Sequence, residues 1–243
     1  SFTDDINLNE EKILALRNQK LWFATPKALN DPYEFQCIYV DRMRLRECNY
    51  PDEVIGFFEA MLSRQAENWA LVSLSGNSMN CLPMWAYYTN DYRGYCVEYD
   101  VLKPDAIFKV GYEPKRIPTA SIVTNFYAGF RKMLENKLAT NDEVEFYASL
   151  LRQQFFLKHE SWQHENEYRI IYPANAADGS LVDIANVGLK TSKIVAGLNC
   201  SREHKTRLNE TSNALGCGDI SVSKISGKKY TLLEDLGDEK TKI

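Results

Sequence analysis

Trp162-Gln163-His164-Glu165-Asn166-Glu167-Tyr168-Arg169-Ile170-Ile171-Tyr172-Pro173 sets one Trp, one His, two carboxylates and an Arg within eight residues, then turns apolar and stops at a proline. From Tyr168 to Tyr172 the side chains are aromatic, β-branched or long, which favours a buried strand over a helix. Pro173 closes the run because it lacks the N–H that a continuing ladder needs. If the strand extends back to Glu165, its period of two puts Glu165, Glu167 and Arg169 on one face. Two like charges at that spacing repel, so a cation must stand close by or the arrangement costs stability. Such a pair is either neutralised structurally, as an ordinary Arg–Glu pair at a strand end, or put to use. Both readings stand on this segment.

Outward from it, the chain alternates strand and helix signals. Leu21–Ala24, Phe35–Val40, Ala70–Ser75, Tyr95–Asp100, Ile107–Tyr112, Lys193–Leu198, Ile220–Ile225 and Tyr230–Leu233 read as strands. Ser73 and Ser75 share one face of theirs, and Cys96 and Glu98 one face of theirs. Helices are expected over 8–20, from Pro51 to Asn68, over Met84–Tyr88, over roughly 119–139 and 142–158, and from the cap Ser201 to Leu215. Asp178-Gly179 marks a hairpin-type turn after the 168–172 strand. This order lacks the regular ten-to-fifteen-residue alternation of a doubly wound sheet. The expected fold is α+β: a mixed, mainly antiparallel sheet core with flanking helices. Residues 1–236 are read as one domain with a helical insertion at about 119–158, and 237–243 as a charged tail that frays.

Composition narrows the function classes. Hydrophobic residues make up 44% and charged residues 26%, and the net charge is −4 without a basic stripe to advertise nucleic acid. No apolar run approaches the ~20 residues that span a bilayer, and no signal peptide is visible from Ser1 onward. The six cysteines form no C-x-x-C, and several sit in apolar runs, so they read as reduced core thiols of a cytoplasmic protein. With three histidines and no H-E-x-x-H, no metal ligands are assigned. Phosphate-binding glycine loops and the G-x-S-x-G elbow are also absent.

Two further segments offer surfaces. Asn30-Asp31-Pro32 is turn chemistry, yet it gathers an amide, a carboxylate and Glu34 beside aromatic residues. Trp85 and Tyr88 fall three apart on a short helix, on one side of it, either as core or as a stacking surface for a ligand.

Leu21–Pro26 with Asn30–Glu34, Met84–Tyr88 with Gly94–Asp100, Trp162 with Glu165–Arg169, and the late Gly197–Ser201 together resemble a prokaryotic and phage family known as domain of unknown function 2971. That family's usual opening Lys-Tyr-Arg-like strand has no match from Ser1 onward, so its Arg is expected upstream or missing. A second resemblance is to ADP-ribosyltransferases of the arginine-first class, through Ser73-x-Ser75 on a strand and Glu165-x-Glu167 leading into an apolar strand. It implies an enzyme that uses NAD to modify a macromolecular acceptor, nucleic acid or protein, as a toxin or phage-defence effector. It implies Glu167 as the carboxylate that stabilises the oxocarbenium-like transition state and Glu165 as the acceptor-side one. Ser73 and Ser75 support the nicotinamide-ribose pocket, and Arg169 or Arg93 stands in for the phosphate-binding Arg; Asn30, Asp31, Trp85 and Tyr88 complete the candidate NAD site. Two alternatives remain open. One is a non-catalytic module that binds a nucleotide, nucleic acid or protein through Trp85, Tyr88 and Asn30-Asp31. The other is a metal-dependent nuclease built on Asp31, Glu34, Glu98 and Glu167.

Overall fold

A computed structural model describes residues 2–77, 81–118, 124, 125, 127–129, 131, 132, 135, 146, 149–174, 178–228 and 232–235. The first half runs α1 (Ile6–Arg17), β1 (Lys20–Ala24), β2 (Ile38–Tyr39), α2 (Arg42–Glu47), α3 (Asp52–Glu67), β3 (Trp69–Ser75), α4 (Leu82–Tyr88) and β4 (Tyr95–Val101). Short strands follow: β5 (Phe108–Lys109), β6 (Gly111–Glu113), β7 (Ile117–Pro118) and β8 (Leu157–His159). The chain continues through β9 (Glu167–Pro173), β10 (Gly179–Asp183), β11 (Leu189–Ala196), α5 (Arg202–Ala214), β12 (Ser221–Ile225) and β13 (Leu232–Asp235).

A five-stranded sheet has the order β10-β1-β3-β9-β5, and a four-stranded sheet the order β13-β12-β11-β4. Of the nine strand pairings among the described residues, six are antiparallel, so the fold is α+β with a mainly antiparallel core. One face of the larger sheet carries Phe23, Ala70, Ile170 and Val182, which pack with Tyr99 and Leu189 of the smaller sheet. Helices α1 and α5 cover the smaller sheet through Ile13, Leu16 and Leu208 against Ile194 and Ala196. On the larger sheet's other face Leu71 packs with Phe35 and Phe155. No helix among the described residues is long and apolar enough to cross a membrane.

Local chemistry explains the boundaries. Asp5 caps α1 by accepting from Leu8 N–H at 3.1 Å, so the helix begins before residue 8 and ends at Arg17, which frees Lys20 for β1. Ser201 caps α5 as expected, accepting from His204 N–H at 3.1 Å. Phe35 takes φ +58°, which breaks the expected 35–40 strand and leaves only Ile38–Tyr39. The 107–112 strand divides into β5 and β6, which pair in different sheets around buried Val110. The two helices expected at 119–139 and 142–158 lie largely outside the described residues. At its end the second is overturned: Gln153–Phe155 is a 3-10 turn and Leu157–His159 is β8. The tail from 237 also lies outside them.

The hairpin expected at Asp178-Gly179 does not form, because β3 and β1 separate β9 from β10. Gly179 serves a close approach instead. Its φ is +135°, and a Cβ there would stand 2.3 Å from the Phe23 carbonyl oxygen, so only glycine lets β10 start against β1.

Candidate functional site

β9 brings Glu167 and Arg169 to the face of the larger sheet that also carries Ser73 and Ser75. Ser73 pairs with Arg169 in register, and Ser75 with Glu167. Glu165 reaches the same place by another route than the extended strand expected. It ends a 3-10 turn over Glu160–Glu165, and Asn166 then takes the left-handed conformation (φ 44°, ψ 54°) before the strand begins. Asn is among the few residues that adopt that region readily.

The result is a buried ionic network. Arg169 is completely enclosed, and each of its three guanidinium nitrogens has a partner. Nε donates to Glu167 Oε1 at 2.7 Å, Nη2 to Glu167 Oε2 at 3.2 Å and Nη1 to the Phe155 carbonyl at 2.6 Å. Nη1 also lies 2.6 Å from Glu34 Oε1, close enough for an ion pair but off the axis of a hydrogen bond. Lys158 Nζ bridges Glu165 Oε2 at 2.9 Å and Glu167 Oε2 at 3.0 Å, and sits 4.9 Å from the Trp162 ring centroid. Ser73 Oγ donates to Glu167 Oε1 at 2.5 Å, and Tyr112 Oη accepts from Glu167 N–H at 2.8 Å.

Glu167 and Glu34 respond in opposite directions. Burial pushes Glu167 up, but Arg169, Lys158 and Ser73 together outweigh it and hold the carboxyl below its ordinary value. For Glu34 burial wins over Arg169 and Lys158, and the carboxyl stands above its ordinary value. Burial pulls Lys158 down, but Glu167, Glu165 and Glu34 outweigh it and the ammonium is strengthened. Three acids thus close around two cations.

Glu165 connects this network to open space. Its Oε1 accepts from the Tyr88 phenol, whose oxygen accepts in turn from Asn30 Nδ2 at 3.4 Å. Burial, with the Glu165 carboxylate beside it, pushes the Tyr88 phenol up to about 12, so it donates at neutral pH. Ser75 Oγ donates to the Glu165 carbonyl at 2.8 Å, and Asn77 Nδ2 donates to the His164 carbonyl at 2.8 Å.

Tyr88 and Ser75 also line a cleft of 650 Å³ between the two sheets, with Asn77, Trp85, Glu98, Tyr99 and Tyr168 among its other walls. Glu165 and Glu167 do not reach it. A larger cavity of 1020 Å³ lies on the far side, against α3 and the 34–36 loop, and touches the network only at Glu34.

The candidates read from sequence therefore divide. Ser73, Ser75, Glu165, Glu167, Arg169, Tyr88 and Asn30 meet in one network. Asp31 is buried but its Oδ1 accepts from Tyr33 N–H at 2.9 Å, which is turn chemistry. Trp85 is 4% exposed and stacked on Tyr92 at 6.5 Å between ring centroids, so it forms the cleft's rear wall. Arg93, the other stand-in for a phosphate-binding Arg, is exposed in the turn before β4.

No group of three or more His, Cys, Asp or Glu among the described residues is arranged to hold a metal. Of Asp31, Glu34, Glu98 and Glu167, Glu34 and Glu167 share Arg169, and Arg169 and Lys158 stand between the carboxylates that converge there.

Sequence reasoning missed Lys158, Tyr112, Tyr99 and Tyr168, and gave Glu34 no role in the network. Lys158 had a signal: it is the single charge after Phe155-Phe156-Leu157, and the Glu165/Glu167 pair demanded a cation.

No curated protein and no solved structure matches the chain. The family model described as Protein of unknown function (DUF2971) matches residues 84–170, which begin within α4 and include Lys158, Glu165, Glu167 and Arg169. Residues 84–170 therefore carry the signature of the DUF2971 family, a description that assigns no chemistry.

Proposed function

We propose that the chain is a binding module for a small ligand that carries a nucleobase (a base, nucleoside or nucleotide), held in the cleft between the two sheets. One observation carries this reading: a 650 Å³ cleft walled by Tyr88, Tyr99, Tyr168 and Trp85, with few polar groups. Its size falls in the roughly 300–1,000 Å³ range of small-molecule sites, and an apolar wall with a few placed polar groups is their usual make-up. The ion network behind it is consumed by its own pairings, so it shapes Tyr88 and the Ser75–Asn77 rim without meeting the ligand.

Calorimetric titration with bases, nucleosides and nucleotides, NAD included, tests this. Val101 lines the cleft and is 48% exposed, so Val101→Trp plugs the space without disturbing the core. Binding is expected in the parent and lost in that variant, with thermal stability unchanged. Binding that survives the plug removes this cleft from consideration.

A second reading, the ADP-ribosyltransferase-like enzyme, is favoured by the direct Ser73–Glu167 bond across β3 and β9. Against it stand the 2% exposure of Glu167 and the engaged guanidinium of Arg169. Labelled NAD incubated with the protein and a cell lysate decides it. The enzyme reading requires label in a protein or nucleic-acid fraction that disappears with Glu167→Gln. It also requires Glu165→Ala to impair transfer more than NAD hydrolysis. Intact NAD leaves the binding module alone.

A further inference from the structure

Charge distinguishes the two cavities. The larger one includes Lys27 and Arg116 in its wall, along with four acids. The cleft between the sheets has one charged lining residue among the described residues, the exposed carboxylate Glu98 on β4, and no Lys, Arg or His. Two cations come near without lining it. Lys109 Nζ lies 5.9 Å from the Tyr168 ring centroid, and Lys193 is the register partner of Glu98 on β11.

A phosphate bound away from bulk water needs cationic or N–H donors arranged around it. This cleft presents a carboxylate, which repels a phosphate at close range. Aromatic walls suit a planar ring, since base-on-aromatic stacking tolerates any base. A carboxylate beside such a ring is suited to accepting from vicinal hydroxyls, as acidic residues do with ribose. Ser75 and Asn77 are already engaged with the backbone of residues 164 and 165, which leaves Glu98 as the principal polar anchor.

Resting on the reading of this cleft as the ligand site, we propose that its ligand is a nucleoside without phosphate, its ring against Tyr88, Tyr99 and Tyr168 and its ribose hydroxyls on Glu98. The site then discriminates against nucleotides, NAD among them, because no Lys, Arg or His among the described residues lines it.

The test compares adenosine, guanosine, cytidine, uridine and nicotinamide riboside with their 5′-monophosphates and with NAD, by calorimetric titration of the full chain. At least one nucleoside is expected to bind, and its monophosphate about tenfold or more weakly. Glu98→Gln is expected to weaken the nucleoside about tenfold, the effect of one hydrogen bond to a charged group, and to narrow the gap to the monophosphate. A monophosphate or NAD that binds as tightly as the nucleoside, and is lost with Val101→Trp, overturns the nucleoside assignment while the cleft reading stands. No binding by any of these compounds overturns both.

Discussion

The buried network on β9 and the cleft between the sheets lie one side chain apart, joined by Tyr88, yet they use polar groups in opposite ways. In the network five charged side chains, each 7% exposed or less, all have an opposite charge as partner, three acids sharing two cations. In the cleft a single carboxylate stands among aromatic rings. The contrast teaches that a cluster of carboxylates and an Arg in sequence is weak grounds for catalysis. Charges withdrawn from water must be compensated, and the compensation uses up the groups a substrate would need. Binding capacity is better sought where a polar group remains available beside apolar surface.

The network's dependence on complete pairing predicts the largest effect. Arg169→Leu removes the cation shared by Glu34 and Glu167 and leaves both carboxylates facing a fully buried gap. Breaking a buried pair from one side costs about 3–5 kcal/mol, so urea unfolding should show a loss of that size, or no folded protein at neutral pH. A loss below about 1 kcal/mol would mean that water reaches the site and the network is not buried as described. The cleft offers the control: Val101→Trp, at a half-exposed position, should leave the unfolding midpoint in place.

Next in size are Glu167→Gln and Glu34→Gln, which separate two carboxylates paired to the same Arg. The Glu167 carboxyl is held below its ordinary value, so its contribution is fully present above the unfolded value of about 4.3 and is lost as pH falls through the lowered folded value. Glu34 stands above its ordinary value, so its contribution is fully present below about 4.3 and is lost as pH rises through the raised folded value. The advantage of the parent over Glu167→Gln should therefore be greatest at neutral pH, about 1–3 kcal/mol. The difference between the parent and Glu34→Gln should instead move in the parent's favour as pH falls from neutrality toward about 4.3. Unfolding curves collected across that range should show a nearly constant difference for Glu167→Gln, which shrinks only below about 4.3, and a changing difference for Glu34→Gln. Parallel slopes would erase the distinction between these acids.

How far the sequence discloses these regions depends on the range of the interaction. β9 is legible because its apolar run and terminal Pro173 are local, and so are the Ser201 cap and the Pro51 start of α3. The need for a cation near Glu165 and Glu167 is legible too, since repulsion between like charges at short spacing is local physics. The identity of that cation is not. Lys158 follows a stretch that reads as helix, and its role appears only when β8 pairs with β6 and carries it under β9. Asn166 hides the second break: Asn tolerates the left-handed region but does not require it, so Glu165 seems to share β9's face by alternation when it arrives there through a turn. Glu34 pairs with Arg169, 135 positions away in sequence, and of the cleft only the Trp85/Tyr88 wall is legible, because α4, β4 and β9 contribute its walls separately.

The smallest expected effect falls on Tyr88, the residue that belongs to both regions. Tyr88→Phe deletes the phenol that donates to Glu165 but keeps the ring in the cleft wall. Lys158 remains on the other oxygen of Glu165, so the carboxylate keeps its main partner, and Tyr88 is itself 39% exposed, so water can replace the lost donor. The stability cost should be about 1 kcal/mol or less. If the network only shapes the cleft, ligand affinity in this variant should change by less than about threefold, since stacking depends on the ring. A larger loss of affinity with the same small loss of stability would show that the Tyr88–Glu165 bond itself serves binding. The carboxylates would then act on the ligand through one intervening hydroxyl, and the separation of the two regions would be a matter of distance alone.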